Sequence, residues 1–478
     1  MDTTRRVVRN ALVLLASDLV RIALGLVVTA AVARRLGGPP LGDLAYMLAL
    51  VSMLTVMTDA GLSQFYARAA QTDRSGALLG AVLAVRIIAS TAAAGGLALY
   101  AAIAAPSLRP VLYLGSLLVW MTAVPSWVGA FFRAREQMAP EGIAKVLGSM
   151  LTAVGALAVT GRGFGVPGVA GVMVGVSVLV GAALLWVGLA RMPRPIVLMQ
   201  QLVVYGRILR EAWPFAALAI LGTIYFRIDG VMLYALRGRD ALGQYSAAYR
   251  VMETALLLPW VLSASALPPV VRHLHTRTSE VIRASRQALH LLFAISVPLA
   301  VLGALLAPEL FRLLYGPAFA EASAIFRILA FTLIAVFASA VTSTLIAAGP
   351  RPMVNAWLAL LMVVENVGLN LVVIPRWGGA GAAAATLITE TTGLVLGTLY
   401  VRWTFSPLAY LGFAAKPSLG ALAAAGTVLL YPSLAVVPLA VAVYVGVMWL
   451  TGGLTTTDVS FIRAVLTRAH PTLRTGDA

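Results

Sequence analysis

Stretches of about twenty apolar residues recur along the whole chain of 478 residues, and no other feature limits the fold as strongly. Each stretch is long enough to cross a hydrocarbon core of roughly 30 Å as a helix. Hydrophobic residues make up 60% of the sequence and charged residues 11%, so no polar stretch remains for a separate soluble domain. We therefore predict an all-α polytopic membrane protein with about 14 transmembrane helices. The predicted spans are 10–33, 44–64, 76–104, 110–131, 142–160, 166–189, 213–236, 242–267, 286–306, 322–347, 353–375, 379–401, 414–431 and 434–452.

The distribution of basic residues predicts the orientation of these spans. With the N-terminus inside, the inward-facing segments hold 22 of the 35 Lys and Arg residues and the outward-facing segments hold nine. This excess satisfies the positive-inside rule, and the even number of spans then places both termini inside. The basic N-terminus resembles a signal peptide, but its apolar run continues to about Ala33 and contains Asp18 and Arg21. We interpret it as a retained first span.

Charge and composition exclude several classes of function. The formal net charge of +17 does not indicate a nucleic acid partner, because topology-determining residues that face anionic membrane lipids account for most of it. The absence of cysteine rules out disulfides and thiolate chemistry. The only two lysines, Lys145 and Lys416, do not follow a glycine-rich phosphate-binding loop, so we predict no ATP hydrolysis. The four histidines form no metal-ligand pattern, and no pairing of a nucleophile with a base is visible. We predict a protein that is not an enzyme, with no metal and no cofactor.

The two halves of the chain carry similar motifs in the same order. The matched pairs are Arg21-Ile22 with Arg227-Ile228, Leu41-Gly42 with Leu242-Gly243, and the small-residue runs that begin at Val166 and Gly378. Six spans per half give both halves one orientation, as in transporters built from parallel repeats with a central site. We predict an N-lobe over 1–190, a cytoplasmic amphipathic linker over 191–212, a C-lobe over 213–405, and a terminal helix pair with a cytoplasmic tail over 406–478.

Charged side chains within the spans are the main pointer to function. An ionised side chain at the bilayer centre costs roughly 2.5–3.5 kcal/mol on insertion scales, so its presence suggests a role. Asp18 and Arg21 are three residues apart, which places them on one face of a helix, and Arg250 and Glu253 repeat this spacing. Each pair is either a self-neutralising pair that eases insertion or an arginine offered to an anionic ligand and oriented by its carboxylate.

Arg227 and Asp229 cannot share a face, because two residues turn a helix by about 200°. We predict that Arg227 faces a cavity, since Arg21, its counterpart in the repeat, lies at the same depth in its own span. Asp229 would then pair within its own lobe, and Arg250 is a candidate partner.

Other intramembrane polar residues allow two interpretations. Arg86 lies in the middle of the third span, too deep to reach either surface. Glu365 and Glu390 lie within the eleventh and twelfth spans, and Asn366 and Asn370 lie close to Glu365 in the sequence. These carboxylates either bind a coupling cation or proton, or hold helices together.

The segment Tyr225-Phe226-Arg227-Ile228-Asp229, followed by Leu242-Gly243-Gln244-Tyr245 and Arg250, resembles the start of the second lobe in bacterial oligosaccharide flippases. These are the Wzx-type polysaccharide exporters of the MOP superfamily (multidrug, oligosaccharidyl-lipid and polysaccharide transporters). Ala33-Arg34-Arg35-Leu36-Gly37, Asp59-Ala60-Gly61-Leu62 and Ile374-Pro375-Arg376 agree with that family. The resemblance covers roughly residues 5–405. Such proteins are often described with twelve spans, so fourteen is a departure that leaves the role of the last pair open.

The resemblance implies a substrate and a site. The substrate would be an undecaprenyl-pyrophosphate-linked oligosaccharide, moved from the inner to the outer leaflet of the cytoplasmic membrane. The pyrophosphate would be bound by Arg21, Arg86, Arg227 and Arg250, whose planar donors suit phosphate oxygens. The glycan would contact Asn366, Asn370, Thr342 and Ser343. Asp18, Asp229, Glu253, Glu365 and Glu390 would be charge partners or coupling groups for the membrane potential, H⁺ or Na⁺. A polysaccharide polymerase, glycosyltransferases and membrane lipids would be partners.

Three other functions remain open at this stage. A flippase for lipid-linked peptidoglycan precursors would share the fold and the arginines. A drug or cation antiporter of the same superfamily would need an acidic cavity, whereas both motifs place arginine there. A polytopic enzyme such as a polysaccharide ligase belongs to a different class, and it would yield a covalent product.

Overall fold

A computed structural model describes residues 2–70, 77–192, 202–257, 259, 263, 267, 270–274, 276–351, 353–405 and 410–454. All regular secondary structure in these residues is helical, which confirms the predicted all-α fold class. The helices are α1 (Asp2–Leu36), α2 (Gly38–Asp59), α3 (Leu62–Ala69), α4 (Ala77–Ile103), α5 (Arg109–Met121), α6 (Ala123–Ala134), α7 (Ala139–Gly161), α8 (Gly165–Leu189), α9 (Leu202–Ala255), α10 (Thr278–Tyr315), α11 (Ala320–Ala348), α12 (Met353–Thr404), α13 (Tyr410–Leu430) and α14 (Val437–Leu450). Short 3₁₀ turns at Pro317–Phe319 and Leu434–Val436 precede α11 and α14.

The described helices agree with the predicted fourteen spans. Eleven stretches are long and apolar enough to cross a membrane, and a shorter apolar helical stretch covers Leu434–Leu450. Two of the eleven, in α9 and α12, contain a glycine with non-helical backbone, Gly238 (φ 83°) and Gly378 (φ 54°). The 52 residues of α12 would extend roughly 78 Å as one straight helix, more than twice the hydrocarbon thickness. Each of these two helices is therefore a pair of spans, which gives fourteen spans in the described part of the chain.

Single glycines form several of the turns on the predicted outer side. Gly37 (φ 91°) lies between α1 and α2, and Gly316 (φ 92°) follows α10, in the same backbone region as Gly238. A side chain is strained at such φ values, so glycine allows the chain to turn within one residue. Proline at the first turn of α2, α5 and α7 starts these helices, because its missing N–H has no partner there in any case.

The described chain divides into two compact units. The first contains residues 1–250 and 363–382, and the second contains 251–362 and 383–478. This division follows contacts within the structure, whereas the predicted lobes, 1–190 and 213–405, follow a repeat in the sequence. The lobes therefore stay a prediction. The predicted linker 191–212 falls partly outside the described residues, as do the end of the predicted eighth span and the tail beyond residue 454.

The first unit has an apolar core at the ends of α3, α4 and α6. Trp127, Phe131 and Phe132 of α6 are each at most 1% exposed and belong to one buried cluster with Leu62 and Leu79. The indole N–H of Trp127 donates to the carbonyl of Leu79 over 2.9 Å, so the polar edge of this buried ring is satisfied. This core fixes α6 beside the helices that carry the charged residues described below.

In the second unit, the terminal helices pack on α10. Tyr444 of α14 donates to the carbonyl of Ala294 over 2.6 Å, and Glu309 of α10 accepts from the backbone N–H of Leu434 over 3.0 Å. The ring of His290 lies 2.7 Å from the carbonyl of Gly453. The last span, α14, is thus held to α10 by polar contacts at both of its ends and in its middle.

Candidate functional site

The first unit contains a cavity of about 390 Å³ whose three charged lining residues are all cations. Arg21 comes from α1, Lys145 from α7 and Arg250 from the last part of α9. Hydroxyl groups complete the polar part of the wall and come from Thr29, Thr122, Ser126, Ser149, Thr152 and Ser177. All three cations and most of the hydroxyls lie within helices long and apolar enough to span a membrane. The cavity therefore combines positive charge with hydrogen-bonding groups at membrane depth.

Arg21 is held by the carboxylate three residues before it in α1. Its Nε donates to Oδ1 of Asp18 over 3.2 Å, as the spacing of the two residues predicts. The Nζ of Lys145 lies 3.8 Å from the same oxygen and 3.6 Å from Oε1 of Glu141. Arg133 in turn donates to Glu141 over 2.6 Å. A network of ion pairs thus joins α6, α7 and α1 beside the cavity.

Arg250 lies against the backbone of α1. A β-carbon built on Gly25 would be 3.6 Å from Nη1 of Arg250. Gly25 is four residues beyond Arg21, which is one helical turn along the same face. The two guanidinium groups therefore lie at neighbouring parts of one cavity. Their predicted role in binding pyrophosphate stays a prediction.

Arg86 lies elsewhere, although the sequence analysis grouped it with the cavity arginines. It is 2% exposed, forms an ion pair with Asp59, and lies 3.4 Å from the hydroxyl of Ser63. Ser63 donates to the same carboxylate over 2.7 Å. A guanidinium this deeply desolvated requires a carboxylate partner. Asp59, the last residue of α2, provides it.

Arg227 is half-buried on α9 and is not among the residues that line the cavity. Asp229 is 4% exposed and accepts hydrogen bonds from Nδ2 of Asn370 (2.7 Å) and from the hydroxyl of Tyr245 (3.0 Å). Its partners thus include residues of α9 and α12, within the predicted C-lobe. The predicted pairing of Asp229 with Arg250 stays a prediction.

The candidate glycan contacts do not line the cavity either. Asn366 and Asn370 are fully buried, and Nδ2 of Asn370 also donates to Oδ1 of Asn366 over 2.9 Å. Thr342 is 2% exposed and donates to the carbonyl of Ser339 within its own helix. Ser343 is exposed, and its carbonyl accepts from Asn355. Through Asn370 the two buried amides bind the carboxylate of Asp229, so they hold α12 against α9. The hydroxyl groups that line the cavity are better placed than these amides to contact a sugar.

The remaining carboxylates lie outside the cavity wall. Glu365 and Glu253 are half-buried on α12 and α9, and Glu390 is 8% exposed on α12. In the described residues, no group of three or more His, Cys, Asp or Glu side chains is arranged to hold a metal ion.

Lys145 lines the cavity, although it was not among the predicted site residues. Position 145 falls inside the predicted span 142–160. The available signal was therefore a charged side chain within a span, together with Ser149 four residues later on the same helical face.

A second polar cluster ties α2 to α9 near the turn at Gly238. Asp43 is 2% exposed and accepts from Arg239 over 2.6 Å and from the hydroxyl of Tyr234 over 3.0 Å. Tyr234 stacks on Tyr46 with ring centroids 4.1 Å apart. This cluster lies at the predicted outer end of the first unit.

Comparison with known proteins gives the family and the fold. The family described as "Polysaccharide biosynthesis protein" matches residues 7–275, and the family described as "Lipid II flippase MurJ" matches residues 238–453. The curated protein "Probable flippase AglR" of Haloferax volcanii is 25% identical over 177 residues. That alignment spans only 37% of the relative and 36% of this chain.

Two solved structures share the fold over most of this chain. A structure described as "Lipid II flippase MurJ, inward closed conformation" has a TM-score of 0.76 at 15% identity, covering 91% of this chain and 98% of that chain. An inward-facing multidrug resistance MATE family transporter of the MOP superfamily has a TM-score of 0.67 at 15% identity, covering 84% and 98%. The chain thus shares its fold with both of these structures. Together with the two family matches, this confirms the resemblance drawn from the sequence. Because the first family match extends over more than half of the chain, the chain belongs to the polysaccharide biosynthesis protein family.

Proposed function

We propose that this multi-pass membrane protein is a flippase for an undecaprenyl-pyrophosphate-linked oligosaccharide. It moves this lipid from the inner to the outer leaflet of the bacterial cytoplasmic membrane by alternating access, with no ATP hydrolysis and no covalent chemistry. The observation that carries the proposal is the cavity at membrane depth whose charged lining residues, Arg21, Lys145 and Arg250, are all cations. Its volume of about 390 Å³ lies in the range of ligand pockets.

The chemistry of the wall suits the diphosphate end of such a lipid. Guanidinium groups present paired donors that match phosphate oxygens, and charge-assisted hydrogen bonds are stronger than neutral ones. The hydroxyls of Ser126, Ser149 and Ser177 can donate to or accept from a sugar that follows the phosphates. The polyprenyl chain would stay in the lipid phase, where its burial needs no protein pocket.

The membrane potential supplies a driving force. A substituted diphosphate carries two negative charges, and the cell interior is negative. Moving each charge outward gains about 2.3 kcal/mol per 100 mV. Export of the diphosphate is therefore favoured without nucleotide hydrolysis. We also propose that the intramembrane carboxylates Asp229, Glu365 and Glu390 are the candidates for coupling to H⁺ or Na⁺.

Transport in proteoliposomes tests the proposal. We expect purified protein to move a lipid-linked oligosaccharide with a fluorescent glycan to the opposite leaflet, read out by a membrane-impermeant quencher. Arg21→Ala and Arg250→Ala should each lower the rate tenfold or more, because a hydrogen bond to a charged group contributes about 1.5–3 kcal/mol. Arg207→Ala is the matched control, since this arginine is 79% exposed and paired with Glu211 outside the cavity. Equal rates in all four proteins would contradict the assignment of the cavity.

A second candidate is a flippase for lipid-linked peptidoglycan precursors. The match of residues 238–453 to the family described as "Lipid II flippase MurJ" favours it. Both substrates carry a lipid diphosphate, so the cationic cavity suits either one. Depletion of the protein from cells distinguishes the two candidate functions. Loss of viability with accumulated peptidoglycan precursor supports the second candidate. A viable strain whose accumulated lipid carries another glycan, identified by mass spectrometry, supports the first.

Other classes fit the cavity less well. Cationic drugs would be repelled by three cations, which disfavours a drug antiporter. A polysaccharide ligase would leave a covalent product in the proteoliposome assay.

The partners that follow from the proposal are the membrane lipids, a polysaccharide polymerase and the glycosyltransferases that build the substrate.

A further inference from the structure

One carboxylate oxygen beside the cavity serves two of its cations. Oδ1 of Asp18 lies 3.2 Å from Nε of Arg21 and 3.8 Å from Nζ of Lys145. Arg21 and Lys145 belong to the cavity wall, whereas Asp18 does not. The carboxylate therefore contacts the two cations from outside the wall, and a ligand in the cavity would contact them from within.

The contacts of Asp18 join side chains that are all partly exposed. The side chains of Arg21, Asp18 and Lys145 are 50%, 37% and 34% exposed. Exposed ion pairs contribute little, because water competes for both partners. A phosphate group offers more oxygens than one carboxylate, and a diphosphate brings a second charge, so either can replace Asp18 at these cations.

Glu141 behaves differently, although it also contacts Lys145. Its side chain is 11% exposed and accepts a hydrogen bond of 2.6 Å from Arg133. Lys145 lies one turn further along α7, 3.6 Å from the same carboxylate oxygen. Glu141 is thus a fixed support that keeps Lys145 in place, and Asp18 is the exchangeable partner.

We propose that Asp18 is an internal counter-ion of the cavity, displaced from Arg21 and Lys145 by the phosphate groups of the ligand. Lys145 then becomes a third cationic contact beside Arg21 and Arg250. When the ligand leaves, the carboxylate returns and stabilises the empty cavity, which favours release. The proposal rests on the proposed function only in naming a lipid diphosphate as the displacing anion. Free pyrophosphate has the same chemistry and serves as a soluble probe.

Removal of Asp18 should change anion affinity in opposite directions, depending on whether Asp18 is a counter-ion or only orients Arg21. If Asp18 only positioned Arg21, its removal would disorder the arginine and weaken anion binding. If Asp18 competes with the ligand, its removal strengthens binding. The variant Asp18→Asn separates the two, because it removes the charge and keeps the size of the side chain.

Binding of inorganic pyrophosphate to the purified full-length protein, measured by calorimetry at fixed ionic strength, tests the proposal. We expect Asp18→Asn to bind threefold to tenfold more tightly than wild type, and tenfold corresponds to about 1.4 kcal/mol. Lys145→Gln should bind more weakly, and the gain from Asp18→Asn should shrink in the Lys145→Gln background. Unchanged or weaker binding by a folded Asp18→Asn protein overturns the proposal, as does the absence of saturable binding in both proteins.

Glu280→Gln is the matched control for net charge. Glu280 forms an exposed ion pair with Arg277 at the same spacing of three residues, on α10 and outside the cavity wall. Its variant should leave pyrophosphate affinity unchanged, and a gain equal to that of Asp18→Asn would overturn the proposal. If Asp18→Asn fails to fold, unaltered pyrophosphate affinity of Lys145→Gln overturns it instead.

Transport distinguishes failure of this inference from failure of the proposed function. With saturating lipid-linked oligosaccharide, Asp18→Asn should transport more slowly than wild type, because release is no longer assisted. If wild type transports the lipid and Asp18→Asn binds pyrophosphate more weakly, the function stands and the counter-ion role is lost. If Asp18→Asn binds more tightly and wild type transports no lipid-linked oligosaccharide, the counter-ion role stands and the function is lost.

Discussion

Burial separates two kinds of intramembrane arginine. Arg21 is half-exposed beside a cavity, whereas Arg86 is 2% exposed against Asp59. An exposed guanidinium can exchange its partner for a ligand. A desolvated one cannot leave its carboxylate without stranding a buried charge. Both look alike in the sequence, as arginines in the middle of apolar stretches.

Replacement of Arg86 should therefore damage stability more than binding. We expect Arg86→Ala to lower the free energy of unfolding by about 3–5 kcal/mol, since it removes the ion-pair partner of Asp59, whose side chain is only 19% exposed. Arg21→Ala should change it by no more than about 1 kcal/mol. Thermal unfolding of the purified variants in detergent measures both. Adding Asp59→Asn to Arg86→Ala should recover part of the loss, and equal unfolding temperatures for the two single variants would contradict this account.

The effect of Arg227 on pyrophosphate binding tests which arginines contact the anion. The repeat in the sequence makes Arg227 the counterpart of Arg21, but only Arg21 lines the cavity described here. We expect Arg227→Ala to retain pyrophosphate binding within about threefold of wild type, whereas Arg21→Ala loses tenfold or more. Calorimetry on both variants decides this. An equal loss of affinity in both variants would show that Arg227 also binds the anion.

At the residue scale, the sequence predicted the helical pairs and not the cavity wall. The Asp18–Arg21 contact follows from spacing alone, because three residues along a helix bring side chains together. Whether Arg86 or Lys145 reaches the cavity depends on which helices pack against α4 and α7. Such packing is decided by contacts between residues far apart in the chain, which spacing does not encode.

At the scale of helices, paired glycines explain how α2 and α9 approach. Leu41-Gly42 and Leu242-Gly243, matched by the repeat, lie at one crossing of the two helices. A β-carbon on Gly42 would be 2.7 Å from the carbonyl carbon of Arg239, and one on Gly243 would be 2.7 Å from that of Gly38. The sequence showed the two motifs as a repeat, and the structure shows them as a contact.

A methyl group at this crossing should force the helices apart. We expect Gly42→Ala to cost about 1–3 kcal/mol of unfolding free energy, because the obstacle is backbone that cannot turn away. Gly243→Ala should behave alike. Gly95→Ala in α4 is the matched control, since nothing lies within 4 Å of an added β-carbon there. An unfolding temperature for Gly42→Ala equal to that of Gly95→Ala would rule out the close approach.

At the scale of the whole molecule, the predicted orientation can be tested directly because the chain contains no cysteine. Arg162 lies in the turn between α7 and α8, and Gln137 lies between α6 and α7, and both are exposed. We expect a membrane-impermeant maleimide to label Arg162→Cys in intact cells and Gln137→Cys only after permeabilisation. The reverse pattern would invert the orientation inferred from the basic residues.

The single-residue turns at Gly37, Gly238 and Gly378 have a mechanical consequence. A connection of one residue has no slack, so two helices joined in this way cannot slide past one another or separate at that end. α1 with α2, the two parts of α9, and the two parts of α12 therefore each form a hairpin that is fixed at its glycine. Six spans reduce to three such hairpins, and the two helices of each can splay only at the end away from the glycine.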